Sequence, residues 1–316
     1  NPRKLLEVEK NIASFEKDNS IEKWIKELPF PLASVLWKYH STINKEKKIT
    51  HLLHFFEIIP EFISIMILSC FRNRPEFIQE HKSSWVSEGE KYSEWIKQSS
   101  FGGWNNLFSN LSKLIRIKLN SNKEDEKESF KKILGNPSQD FINFITKKDV
   151  VNTLEAVCNF RNKWKGHGPD VSQKIIQDRL NLLQEQLTQL RENIKSSFDS
   201  LKIISPGKSE YSDNTYKYEV KELRGTTTPF FQTEIKSNIP LEVSKLYLVH
   251  SFSYEPIELI PFIKYKSQEK ALYFYSSIEF NQVRYISYHY EDKPEIHDEL
   301  KDNFNKALKL LMKNSS

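Results

Sequence analysis

The 316 residues are 38% hydrophobic, 13% aromatic and 28% charged, a globular composition that excludes disordered and fibrous classes. Lys+Arg 47 against Asp+Glu 42 leaves a net charge of +5, too mild to imply nucleic acid by itself. Two cysteines, Cys70 and Cys158, are too few for a disulfide framework or a zinc site and suit a reducing, cytoplasmic compartment. No apolar run of about 18 residues and no signal-peptide pattern is found, so neither a membrane nor secretion is expected. The chain opens on Asn1 rather than Met, as an excised piece of a longer protein would.

The first two thirds read as helices. Leu5–Phe15 and Ile21–Leu28 are short amphipathic pieces stopped by Pro29 and Pro31, and Leu32–His40 follows. Ile49–Phe71 is apolar on most sides, through Leu52, Phe55, Phe62 and Met66, which predicts a helix at the centre of a bundle. Trp85–Lys97 is a weaker helix, and Gly102-Gly103 starts another at Trp104. Ser121–Lys132 reads as a charged, solvated connector, and Asn136-Pro137-Ser138 opens a helix at Phe141–Ile145. Val150, Leu154, Val157 and Arg161 share one face of the next helix. Beyond Gly166, Gly168 and Pro169, Asp170 and Gln173 are placed like a capping box for another. Its apolar positions Ile176, Leu180, Leu183, Leu187, Leu190, Ile194, Phe198 and Leu201 alternate in fours and threes. That heptad-like seam suits pairing with another helix, and a second copy of the chain is the expected partner.

Ser205-Pro206-Gly207 ends the helical pattern. Six aromatic and β-branched runs then read as strands: Tyr216–Leu223, Phe230–Ile235, Lys245–His250, Ile257–Lys264, Ala271–Ser276 and Val283–Tyr290. Pro294 leads into an amphipathic helix, Ile296–Met312. The expected class is α+β. An all-α helical bundle fills 1–204, an antiparallel β domain (a meander, sandwich or barrel) fills 205–292, and a C-terminal helix at 293–316 packs on one of them.

No G-x-S-x-G, P-loop, G-x-G-x-x-G or H-E-x-x-H occurs. His51 and His54 lie three apart on the long apolar helix, but no carboxylate or cysteine pattern joins them. They read as packing and surface histidines rather than metal ligands. One segment stands apart: CNFRNKWKGHGPD, Cys158–Asp170. Arg161 ends a helix, Asn162 follows it, and His167 comes six positions later between Gly166 and Gly168. An imidazole with an ordinary pKa of about 6.5 can take or give a proton at a ribose 2′-hydroxyl or a leaving oxygen. A guanidinium can grip the phosphate and offset charge in the transition state, while an amide orients either neighbour. Trp164 and Lys165 are candidates to stack a base and touch a phosphate.

This segment resembles the R-x4–6-H motif of the HEPN superfamily, helical domains common in bacterial antiviral defence and toxin systems. A polar residue, often Asn, directly follows the arginine there, and Asn162 matches. The resemblance covers the helical part, most clearly 140–204. It implies a helical bundle with the motif between two helices, and an endoribonuclease, needing no metal or cofactor, that cleaves RNA by 2′-hydroxyl attack. It also implies catalytic roles for Arg161 and His167, an auxiliary one for Asn162, and a homodimer whose two motifs meet across the interface. The RNA would be single-stranded or tRNA-like, and a protein partner or further domain outside this chain is compatible with it. The bare pattern recurs at Arg74…His81 and Arg284…His289, but Pro75 breaks the first and the second lies in a predicted strand. The rival reading is a non-catalytic dimerisation or sensor module whose β domain binds a protein or nucleic-acid partner. In it Arg161 caps its helix and His167 merely turns the chain.

Overall fold

The computed structural model describes residues 21–86, 95, 97–165, 172–250 and 255–312. Helices fill the first part: α1 (21–27), α2 (Phe30–Ser41), α3 (Lys45–Phe71), α4 (Pro75–His81), α5 (Phe101–Leu119), α6 (Glu124–Ile133), α7 (Gln139–Thr146), α8 (Lys148–Lys165) and α9 (Gln173–Ile194). Their starts are written in capping residues. Asn44, Ser100, Ser138 and Ser172 each accept a hydrogen bond from the backbone N–H three residues on, an interaction worth about 1 kcal/mol apiece.

α3 occupies the centre, packed against α2, α5, α8 and α9. Every residue from Phe55 to Phe71 is buried, including Glu57 and Glu61. By length and composition α3 is apolar enough to cross a membrane, but 89% of its apolar window is buried inside the protein, as befits a core helix.

Several expected boundaries move for identifiable reasons. α5 begins at Phe101, ahead of Trp104, because Ser100 caps it. Gly103 serves close packing there: a Cβ would lie 1.5 Å from the Trp95 indole nitrogen. The stretch expected to be a solvated connector is α6, held down by buried Phe130, whose ring meets Phe77 at 5.6 Å. α9 is capped by Ser172 rather than Asp170, which lies outside the described residues, as does the predicted Leu5–Phe15 helix. α9 stops at Ile194, where Lys195 adopts φ 38°, a left-handed conformation that turns the chain out of the helix. The seam from Ile176 to Ile194 is buried within the chain, against α3 and α8. A second copy is therefore not needed to cover it.

Among the described residues nine strands follow: β1 (Leu201–Ser212), β2 (Thr215–Glu222), β3 (Phe231–Ser237), β4 (Tyr247–His250), β5 (Ile257–Glu258), β6 (Ile263–Lys266), β7 (Ala271–Glu279), β8 (Gln282–Ile286) and β9 (Glu295–Glu299). A short α10 (Asp302–Leu308) comes after them. The strands form two antiparallel sheets, ordered β3-β2-β1-β4-β5 and β6-β7-β8-β9. The protein is α+β. Pro206 and Gly207, expected to end the helical pattern, lie inside β1, where its register with β2 slips between Pro206 and Ser209. A bulge of this kind tolerates a residue without an N–H. The first part of the expected C-terminal helix is instead β9, with Ile296 opposite Tyr285.

Helices and sheets share one core, in which Phe62, Leu190, Ile203, Phe262, Tyr273 and Phe304 belong to a single buried cluster. Polar stitches reinforce it. The Ser69 hydroxyl on α3 accepts from the Ile260 N–H at 2.9 Å, and Arg72 pairs with Glu258 at 2.7 Å. Arg224, just past β2, donates to the carbonyls of Glu27, Phe198 and Leu201 at 2.5, 3.0 and 2.7 Å. The change near 205 is one of secondary structure, with packing continuous across it.

Candidate functional site

α3 carries one polar stripe in its apolar surroundings: His51, His54, Glu57 and Glu61, at spacings of three, three and four that keep them on one side of the helix. Glu61 is 1% exposed and Glu57 7%. Carboxylates are almost never this buried without a partner, and two elements supply partners.

The first is α8. Arg161, expected to end the helix, lies inside it, since α8 continues to Lys165; its side chain is 23% exposed and Nη2 is 3.6 Å from Glu57 Oε1, an ion pair longer than a hydrogen bond. Asn162 is exposed and donates weakly from Nδ2 to the Cys158 sulfur at 3.9 Å. Trp164 is already engaged. Its ring stacks on Phe160 with centroids 5.9 Å apart, and the Arg179 guanidinium lies over it at 5.1 Å. His167 lies outside the described residues, as does the side chain of Lys165. The structure thus brings Arg161 and Asn162 to one helix end, and joins Arg161 to Glu57.

The second is the loop between β8 and β9. Ser287 N–H bonds to the Pro294 carbonyl at 2.7 Å, closing the loop. The loop lays Tyr288, His289 and Glu291 on the helices. The Tyr288 hydroxyl donates to the Glu61 carboxyl, and its ring meets His54 at 5.2 Å. His289 packs edge-on to Phe30 at 5.2 Å, and Glu291 pairs with Lys38 at 2.7 Å. Tyr288 feels the charges of both Glu57 and Arg161. α3, α8 and a loop of the four-stranded sheet converge on one polar cluster.

Its electrostatics follow from burial. Burial first, and then the neighbouring Glu57, push the Glu61 carboxyl well above the carboxylate range, so that it holds its proton. Burial, then the positive charges of His51, Lys38 and Arg161, pull His54 down to about 4. The cluster therefore offers a neutral imidazole, a neutral acid, a tyrosine hydroxyl and a guanidinium. Among the described residues no group of three His, Cys, Asp or Glu side chains is placed to hold a metal.

Glu61 gives a direct test of this account. A carboxyl whose folded pKa is raised contributes stability that is full below its unfolded pKa and lost as pH rises toward the folded value. Glu61→Gln removes that loss. The variant is expected to gain on the wild type by about 1.4 kcal/mol per pH unit above the ordinary carboxylate range, until Glu61 itself ionises. Urea unfolding of both proteins from pH 5 to 8 measures it; parallel stability curves would contradict a protonated Glu61.

Comparison with family models, curated proteins and solved structures gives no match. The site therefore stands on its own geometry. A cleft of about 500 Å³ between the two sheets is weaker as a site for an anionic ligand. Two of its four lining lysines are committed: Lys245 pairs with Glu242 and Glu258, and Lys264 pairs with Asp298. Arg161 and Asn162 were visible as a motif in the sequence, whereas Glu57, Glu61 and Tyr288 were not, and His54 read there as a packing or surface residue. The overlooked signal was in α3, where Glu57 and Glu61 are the charged residues of the buried run Phe55–Phe71.

Proposed function

We propose that the chain is a metal-independent endoribonuclease of the HEPN type, acting in the cytoplasm within a bacterial defence or toxin-like system. The observation that carries this reading is the placement of Arg161 and Asn162 toward the C-terminal end of α8, which runs to Lys165, ahead of the segment that leads to α9. The R-N-x4-H pattern thus joins two helices that pack on each other and on α3. Arg161 would grip the scissile phosphate, with Glu57 limiting its freedom, so that less orientation is lost on binding. His167 would move a proton, and Asn162, exposed beside them, would steer the ribose or the imidazole. The 2′-oxygen attacks phosphorus, the bond to the 5′-oxygen breaks, and a cyclic phosphate remains.

The carboxylates at hand support metal independence. Glu57 is paired with Arg161 and Glu61 keeps its proton, so neither offers magnesium a free anionic ligand. Total RNA incubated with the protein in EDTA is expected to be cut, leaving cyclic phosphate ends. Activity that vanishes in EDTA and returns with magnesium would refute the mechanism. A homodimer belongs to this proposal, docking on outward faces, since the inner seam of α9 is already in use.

Two observations favour a second reading. The Arg161–Glu57 pair gives the arginine structural employment, and the covered Trp164 ring is ill placed to stack a base. A non-catalytic module that dimerises or senses a partner would show both features and would leave RNA intact in the same assay.

A further inference from the structure

An unbroken run of residues, Ile263 to Ser267, lines the cleft between the two sheets. A strand that turns one face to a cavity contributes every second residue, so the cleft meets β6 along its edge. β6 is the outer strand of its sheet. The Tyr275 N–H bonds to the Phe262 carbonyl at 2.8 Å, and the register continues from Ile263 opposite Phe274 to Lys266 opposite Ala271. Ladder bonds between antiparallel strands fall on alternate pairs. Lys264 and Lys266 therefore bond to β7, while Ile263 and Tyr265 turn their N–H and C=O groups away from it. Those outward groups meet no hydrogen-bond partner among the described residues. Ile263 is 4% exposed, so this edge lies down in the cleft rather than on an open rim.

We propose that the cleft is a docking site for an extended acidic peptide of a protein partner, which adds to β6 as a further strand. The inference goes beyond the ribonuclease reading and does not depend on it, since no lining residue belongs to the polar cluster around Arg161. Main-chain hydrogen bonds supply the affinity in strand addition, and alternate side chains supply the choice of sequence. An edge with two outward residues and a cavity of about 500 Å³ suits a short segment.

Charge selects among the possible occupants. Lys266 and Lys301 form no ion pair among the described residues, whereas Glu299 is the lining carboxylate without a basic partner. Two free lysines against one free glutamate favour acidic side chains on the incoming strand. A polyanion such as RNA would also face the carboxylates of Glu242, Glu258 and Asp298, which a neutral peptide backbone tolerates. A second copy of this chain would offer the same recessed edge, and two recessed edges cannot meet.

The test presents full-length wild type, Tyr265→Pro and Tyr265→Ala to a phage-displayed random heptapeptide library. Proline at 265 deletes an outward N–H without removing a bond to β7, a place where an edge strand admits it. Tyr265→Ala keeps the N–H and controls for the lost ring, which meets Phe230 at 6.1 Å. The wild type is expected to enrich β-prone acidic sequences. A synthetic copy of the most enriched peptide should bind Tyr265→Ala within about three-fold of wild type and Tyr265→Pro about tenfold or more weakly. No enrichment on the wild type, enrichment of basic sequences, or equal binding by Tyr265→Pro overturns the proposal. So does a wild-type dimer in sedimentation that Tyr265→Pro dissolves, since a second copy would then occupy the edge. Should Tyr265→Pro melt early, amide exchange of Ile263 and Tyr265 is followed by NMR in the wild type with and without the peptide. Exchange slowed about tenfold or more supports strand addition, and unchanged exchange overturns it.

Discussion

His167→Ala is expected to lower RNA cleavage by about 10² or more while changing folding stability by less than about 1 kcal/mol. A lone proton-transfer group contributes catalysis on that scale. Flanked by Gly166 and Gly168, a histidine of this sequence context has little apolar company, so its loss should leave the fold alone. Activity and the thermal melt of the same preparation decide the matter together. Full cleavage by a normally melting His167→Ala protein would end the mechanism. A joint fall in melting temperature and activity would assign His167 to the turn. Arg161→Ala is less informative, because the side chain is mostly buried against Glu57 and its removal disturbs a buried carboxylate as well as any phosphate contact.

Acidification from pH 7 to 4.5 is expected to remove several kcal/mol of stability. His54, His250 and His289 each titrate at about 4, in every case chiefly because burial penalises the imidazolium. A histidine whose folded pKa lies below its unfolded value of 6.5 adds stability that is present above that value and lost as pH falls toward the folded pKa. At about 1.4 kcal/mol per pKa unit, each contributes on the order of 3 kcal/mol across the window. Glu61 acts in the opposite sense, since its retained proton costs less as the solution becomes acidic, but it is one group against three. Urea midpoints at pH 7 and pH 4.5 measure the net slope. His250→Gln, at a site 2% exposed beside Phe141, should flatten it by about a third. Equal midpoints at the two pH values would mean that the three imidazoles are not held neutral.

The helical architecture was legible because burial has a period. The apolar run of α3 announced a central helix, and the fours and threes of α9 announced a packed seam. What the period does not say is which partner covers a seam, and α3 and α8 of the same chain do so. Local signals also misled where a distant contact overrode them. Pro206 breaks strands in general but sits at a bulge here, and Ile296 lies on a helix-like stripe but pairs with Tyr285. Phe130 alone turns a string of charges into α6. The site was half visible. Arg161 and Asn162 follow from a spacing, whereas Tyr288 reaches Glu61 only because two sheets fold back onto the bundle. No spacing between positions so far apart carries that information.

The shared core also sets the order in which the chain can finish folding on the ribosome. Helices α1 to α9 emerge first, but the cluster containing Phe62 and Leu190 also contains Phe262 and Phe304. The Trp85 indole closes its bond to the Leu310 carbonyl across 225 positions of sequence, at 3.0 Å. Apolar helix surface must therefore wait until the strands and α10 have been synthesised, an interval of several seconds or more at about 5–20 residues per second. The loop carrying Tyr288 arrives in the same late stretch. The polar cluster around Arg161 is thus completed only after that loop has been made, so a nascent or truncated chain that stops before Tyr288 carries the arginine without the groups that organise its surroundings.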